Sequence, residues 1–261
     1  MAIPARIVTA LVAGPVVLIA AAWGDGWFIV LILATGALAA WELWTLLQGT
    51  RYAVSPLLVL LGALVPPLTT AFHSLPILVG GGLLAAVAVV PTLVRRSSSE
   101  TLLATAVSAA AGLYVGLMFS PPIRLSEASQ GPRWLVMIII CTWGCDVAAF
   151  LIGRRWGRTR FVPKLSPQKS LEGVIAGIVA AVLIGVAAGF AFDLPHPTAL
   201  HLSALIGCAA VLGDLVESGF KRWVGAKDSG WIMPGHGGIL DRIDSLLLTG
   251  FVGSLSVGLF T

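Results

Sequence analysis

Residues 167–192 read PQKSLEGVIAGIVAAVLIGVAAGFAF, and between Glu172 and Asp193 no side chain ionises. A helix needs about 20 apolar residues to cross the hydrocarbon layer of a bilayer, and this run supplies them. It has company on both sides. The spacing predicts nine spans, roughly 6–23, 27–47, 55–72, 75–94, 101–119, 133–152, 167–192, 199–222 and 240–260. The breaks carry turn chemistry: Trp23-Gly24-Asp25-Gly26-Trp27, Gly49-Thr50-Arg51, Ser120-Pro121-Pro122 and Leu194-Pro195-His196-Pro197. Arg6 and the apolar run after it have the outline of a signal peptide. Because the hydrophobic pattern resumes at Trp27, we read that run as a retained first helix.

Composition agrees with this reading. Of 261 residues, 57% are hydrophobic and 11% charged, against about 25% charged in an ordinary soluble domain. The expected fold is therefore all-α, a polytopic helical bundle forming a single membrane domain over 1–261. Residues 1–132 read mainly as scaffold and lipid-facing wall, and 133–261 as the catalytic half, because charge concentrates after Asp146. Cys141, Cys145 and Cys208 all lie in apolar runs, and an odd number without a framework argues against a disulfide scaffold. We read Cys141 and Cys145, four apart, as small packing residues.

Basic residues set the orientation. With nine spans, 14 of the 16 Lys and Arg residues fall on one side, leaving only Arg124 and Arg133 opposite. Cytoplasmic loops carry the Lys/Arg excess, so the N-terminus is expected inside and the C-terminus outside, in the cell (inner or plasma) membrane.

The strongest local pattern is Asp214, Glu217, Ser218 and Lys221, whose offsets of three, four and seven place them on one helical face. Acids near the end of an apolar span need a cavity, a partner or a metal. The bland alternative is an internal ion pair between Glu217 and Lys221. Asp241-Arg242-Ile243-Asp244 opens the last span with a second pair on one face, where the helix dipole also favours acids. Should these spans pack together, the carboxylates converge, and carboxylate oxygens suit Mg²⁺.

The connecting stretch holds Lys221, Arg222, Lys227, His236, Gly237 and Gly238. Its basic groups neutralise polyphosphate while glycines let backbone amides approach; a lipid-headgroup patch has the same chemistry. The upstream island runs from Asp146 to Gly173. In it, Ser166-Pro167 reads as an N-cap and first turn, with free amides and Lys169 available to phosphate. Some of the arginines there serve topology alone. Asp146 reads as a metal, nucleotide or hydrogen-bonding group. Glu42, between Trp41 and Trp44 at the end of span two, reads as reaching the interface beside an aromatic belt.

At this point the sequence resembles the phosphatidate cytidylyltransferase family, also called CDP-diacylglycerol synthases. The resemblance rests on Ser218, Lys221-Arg222, Lys227-Asp228, Pro234, His236-Gly237-Gly238 and Asp241-Arg242-Ile243-Asp244. Upstream, Ser166-Pro167, Lys169-Ser170 and Glu172-Gly173 also match, with Met233 and Ser170 as small departures. The first half resembles the family only in hydrophobic character. The resemblance implies transfer of cytidylyl from CTP to phosphatidate, with release of pyrophosphate and dependence on Mg²⁺. It assigns Asp214, Asp241, Lys221 and Arg222 to catalysis, with Asp214 and Asp241 first as metal ligands, then Asp244 and Glu217. Ser166, Lys169, Ser218, Lys227, His236, Gly237, Gly238 and Arg242 would hold substrate. Membrane lipid and a second copy of the chain are the implied partners, without nucleic acid. The rivals are a CTP-using lipid or polyprenol kinase, and a transporter with a cation site at Asp214 and Asp241.

Overall fold

The computed structural model describes residues 3–72, 99–163, 165–230, 232 and 237–260. Within them the chain forms α1 (Ile3–Trp23), α2 (Asp25–Leu47), α3 (Pro56–Ala71), α4 (Ser99–Ser126) and α5 (Gly131–Trp156). A hairpin of β1 (Arg160–Val162) and β2 (Ser166–Ser170) follows, then α6 (Leu171–Ala191), α7 (His196–Trp223) and α8 (Leu240–Phe260). The expected span 75–94 lies outside the described residues. Among the described residues, six helices are long and apolar enough to cross a bilayer, and Leu11–Trp23 and Pro56–Ala71 form shorter apolar helices. The chain is an all-α multi-pass membrane bundle, with one small hairpin among the described residues.

Local chemistry explains the helix starts. Ser55 caps α3 by accepting from the Leu58 amide, with Pro56 in the first turn, where its missing N–H costs nothing. Pro132 and Pro197 do the same for α5 and α7. Lys221 and Arg222 occupy the last turn of α7, where cations complement the helix dipole.

Two expected boundaries are corrected. Ser166-Pro167 is not a cap but the start of β2, which pairs antiparallel with β1, Val162 opposite Ser166 and Arg160 opposite Ser170. A two-stranded ribbon has open edges, so Pro167 removes no essential ladder bond. The cap of α6 is Ser170, which accepts from the Gly173 amide at 3.2 Å. Glu172 then ties the hairpin down by accepting from the Thr159 amide at 3.1 Å. The second correction concerns Ser120-Pro121-Pro122, which does not end its helix; α4 continues to Ser126. Prolines are tolerated within membrane helices where packing supports them, and Pro122 is buried, its ring close to Gly250 of α8.

The helices approach through small residues. Lipid tails give helices no hydrophobic reason to associate, so close van der Waals packing does the work. Gly177 of α6 faces Cys145 of α5, Gly207 of α7 faces Ile178 and Ala181 of α6, and Gly213 of α7 lies on the backbone of Asp244 and Ser245. Cys141 and Cys145 are buried free thiols within this packing. The Thr142 hydroxyl meets the Thr249 hydroxyl at 2.9 Å, linking α5 to α8 inside the bundle. The outer surface carries exposed Val147, Leu183, Phe190 and Leu212, as expected for a surface solvated by lipid.

The Gly213 contact sets the α7–α8 spacing on which the polar residues depend. A Cβ there would lie 2.8 Å from the Asp244 carbonyl oxygen. Gly213→Leu is expected to destabilise the protein by about 1–3 kcal/mol through overpacking, seen as a lower thermal-unfolding midpoint in detergent. Gly258→Ala, with nothing within 4 Å of the added carbon, should leave that midpoint unchanged or slightly raised.

Candidate functional site

The hairpin folds over one end of α5, α7 and α8 and closes a cleft of about 780 Å³. α5 contributes Asp146, Gly153 and Arg154; the hairpin contributes Arg160, Ser166, Gln168 and Lys169. α7 contributes Asp214, and α8 contributes Asp241, Arg242, Asp244 and Ser245. Four aspartates from three helices therefore face a rim of Lys and Arg. Helical spacing brings Asp241 and Asp244 to one face, and the tight α7–α8 contact brings Asp214 beside them.

Lys169 Nζ lies 2.5 Å from Asp214 Oδ2, so the hairpin is held to α7 through charge. One turn further along α7, Ser218 donates to Asp214 Oδ1 at 3.2 Å. Asp244 Oδ1 accepts from the Ser245 amide at 2.6 Å. The Ser245 hydroxyl lies 3.4 Å from Asp146 Oδ1, linking α8 to α5.

Asp241 has both oxygens engaged. Lys221 Nζ lies 2.6 Å from Oδ1, while the Ser229 and Gly238 amides each donate to Oδ2 at 2.9 Å. The chain between α7 and α8 is thus tied to the first turn of α8. Two left-handed glycines shape it. Gly225 (φ 75°) ends α7, with its own amide bonded to Arg222 O and the Ala226 amide to Lys221 O. Gly237 (φ 78°) turns the chain back toward Asp241.

Glu217 is only 4% exposed and does not face the cleft. It lines a separate apolar cavity of about 330 Å³ with Leu43, Tyr114, Phe220 and Leu240. Lys221 Nζ lies 3.0 Å from its Oε1 as an ion pair without hydrogen-bond alignment, and Oε2 has no hydrogen-bond partner. The ion pair between Glu217 and Lys221, the bland alternative at the sequence level, is present, and Lys221 also serves Asp241.

Of the other expected substrate residues, Ser166, Lys169 and Arg242 line the cleft, whereas Ser218 stands behind Asp214. Lys227, and Arg222 expected in catalysis, are exposed and do not line the cleft, the Arg222 guanidinium lying 3.5 Å from Ala226 O. Gly238 is buried and its amide is committed to Asp241. His236 lies outside the described residues, as does Lys164 of the basic island.

The expectation for Glu42 is overturned. It does not reach the interface; it is 1% exposed and accepts from the Ile239 and Leu240 amides at 2.8 Å and from the Ser229 hydroxyl at 3.1 Å. The signal was available, since an ionisable residue inside an apolar span is by default a functional candidate. Flanking tryptophans gave it an easier explanation.

Among the described residues, no three His, Cys, Asp or Glu side chains converge as a ready-made metal site. Mg²⁺ does not require one: it commonly takes one or two carboxylates and completes its shell with water and substrate phosphates. Asp214 and Asp244, on adjacent helices at the cleft, fit that donor pattern. Asp241 is less free: two backbone amides and the half-buried Lys221 hold its oxygens, whereas Asp214 is more exposed and its partners are the side chains of Lys169 and Ser218.

A family model described as "Cytidylyltransferase family" matches residues 4–260. Among curated proteins, the phosphatidate cytidylyltransferase of Staphylococcus haemolyticus (strain JCSC1435) is 38% identical over 136 residues, covering 51% of this chain and 52% of that protein. That of Staphylococcus aureus (strain COL) is 37% identical over 135 residues, covering 51% and 50% respectively. In these matches the chain spans about half the length of the curated relatives.

Lys221 neutralises two low-exposure carboxylates at once. Removing one partner of such a group typically costs about 3–5 kcal/mol, because the remaining charge is stranded. Lys221→Met is therefore expected to lower the thermal-unfolding midpoint sharply in detergent. Adding Glu217→Gln, which removes one stranded charge, should restore part of the loss.

Proposed function

The chain belongs to the cytidylyltransferase family, and from that premise we propose that it transfers a cytidylyl group from CTP to phosphatidate, giving CDP-diacylglycerol and pyrophosphate. The names of the relatives support the substrates. The observation that carries the reading is the cleft itself: aspartates on α5, α7 and α8 facing Lys169, Arg154, Arg160 and Arg242, at one end of membrane helices. A water-soluble polyphosphate and a lipid phosphate can meet there.

A phosphatidate oxygen attacks the α-phosphorus of CTP. The new P–O bond forms as the bond to the β-phosphate bridging oxygen breaks, and pyrophosphate leaves with the electron pair. The nucleophile is already anionic, so catalysis consists of alignment and charge stabilisation rather than strong general-base chemistry. Lys169, Ser166 and Arg242 hold phosphoryl oxygens in the cleft, while Arg222, Lys227 and His236 supply further charge for the polyphosphate. Lys169 exchanges its contact with Asp214 for substrate. Asp214 and Asp244 would hold Mg²⁺, which when bound would neutralise charge on the phosphates. Asp241 and Lys221 keep the loop and α8 in register, so their part in catalysis runs through position.

The same reading places the cleft on the cytoplasmic face of the cell membrane, where CTP is available, with the N-terminus inside and the C-terminus outside. The 14-to-2 division of basic residues supports it. A homodimer is part of the family resemblance and belongs to the same proposal.

The deciding experiment supplies purified protein with CTP, phosphatidate and Mg²⁺ and measures both products. Equimolar pyrophosphate and CDP-lipid are expected; release of CDP with a phosphorylated lipid would instead identify a kinase and overturn the reading. Asp214→Asn and Asp244→Asn should each lower turnover by about 100-fold or more, with folded protein retained. For topology, single cysteines replacing Arg158 and Lys227 should react with an impermeant thiol reagent only from the cytoplasmic side, and one replacing Ala128 only from outside.

A further inference from the structure

Glu42 meets partners far away in sequence. The Ile239 amide reaches Oε1 at 2.8 Å, and the Leu240 amide reaches Oε2 at 2.8 Å, across sequence separations of 197 and 198 residues. The Ser229 hydroxyl reaches Oε2 at 3.1 Å. These hydrogen-bond donors are neutral. Two of them are amides at the start of α8, where a helix leaves N–H groups without intrahelical partners and favours negative charge. Glu42 therefore acts as the N-terminal cap of α8, supplied by α2.

The loop is shaped around this carboxylate. A Cβ on Gly230 would lie 2.8 Å from Glu42 Oε1, and a Cβ on Gly238 would collide with Glu42 Oε2 and Ser229 Oγ. Glycine at both positions leaves room for the acid. Ser229 then passes the constraint on: its hydroxyl accepts from the Asp241 amide at 3.2 Å, and its own amide donates to Asp241 Oδ2 at 2.9 Å. Asp241 and Asp244 follow within the next turn of α8, both lining the cleft.

We propose that Glu42 is a positioning residue for the reaction, fixing the α7–α8 loop and the first turn of α8 so that Asp241 and Asp244 stand in register with Asp214. It touches no substrate. Its effect is on geometry, and a misplacement of about 1 Å in reacting groups can cost about 100-fold in rate. A single carboxylate on α2 thus couples the hydrophobic first half of the chain to the charged second half. The inference rests on the reading of the cleft as the cytidylyl-transfer site.

The test uses the full chain, purified as a monodisperse fraction so that rates refer to folded molecules. Glu42→Ala is expected to lower kcat roughly tenfold to 100-fold, with KM for phosphatidate within about twofold of wild type. Glu42→Gln should recover part of kcat, because its amide oxygen still accepts one hydrogen bond. Ser229→Ala removes one donor to the same carboxylate and should lower kcat by roughly threefold to tenfold; it carries the kinetic test if Glu42→Ala does not fold. Wild-type kcat per folded molecule in the folded variants overturns the proposal, even if their thermal stability falls. A second readout does not depend on turnover: trypsin cleavage after Lys227 should be at least about fivefold faster in Glu42→Ala, or in Ser229→Ala if that variant replaces it, as the loop opens locally. An unchanged cleavage rate removes the clamp. Absence of CTP-dependent pyrophosphate release by the wild type would instead remove the reaction reading, leaving cleavage to decide the clamp.

Discussion

Both oxygens of Asp241 are committed at the mouth of α8, one to the Lys221 ammonium and the other to the Ser229 and Gly238 amides. The site depends on that arrangement. It holds the end of α7, the loop and the start of α8 to one another through a single residue. Gly213 lets α7 pack against the backbone of Asp244 and Ser245, which keeps the end of α7 and its Lys221 beside the start of α8. The same Lys221 also faces Glu217. A charge held this far from water needs a nearby counter-charge or donor, since desolvation otherwise opposes folding. The network is connected because the low-dielectric setting leaves few cheaper solutions.

The end of α7 separates two unlike spaces. On one side lies the cleft, with its aspartates and basic rim. On the other lies the smaller cavity walled by Leu43, Leu47, Phe220, Trp223 and Leu240, with Glu217 at its edge. Asp214 belongs to the first space and Glu217 to the second, although they sit three positions apart on one helix. This amphipathic division lets the bundle carry a polar working surface while its lipid-facing side remains apolar. The hairpin completes the polar side. Tethered by Ser170 and Glu172 at its base, it presents Lys169 to Asp214.

The burial of Glu42 changes the part played by the first half of the chain. A wall of lipid-facing helices would need no carboxylate at 1% exposure. Instead, α2 reaches the loop between α7 and α8, filling space that Gly230 and Gly238 leave beside it. The division into scaffold and chemical half therefore describes the distribution of charge better than the mechanical organisation. The half with few ionisable groups supports the one that carries the cleft.

Much was legible in sequence because it depends on local rules. Apolar run lengths identify α5 to α8 to within a few residues, since the bilayer fixes how long a spanning helix must be. The three-residue spacings of Asp214 with Glu217 and Asp241 with Asp244 place each pair on one helical face. Other features required the assembled fold. Ser166 and Ser170 both look like caps, and only hairpin pairing shows that Ser170 starts the helix. Pro121 and Pro122 look like a stop, yet packing carries α4 through them. Helical spacing grouped Glu217 with Asp214, but α2 and α4 present it with an apolar cavity instead. Glu42 meets partners nearly 200 positions away. Periodicity along a chain records which face a residue occupies; only tertiary packing decides what that face meets.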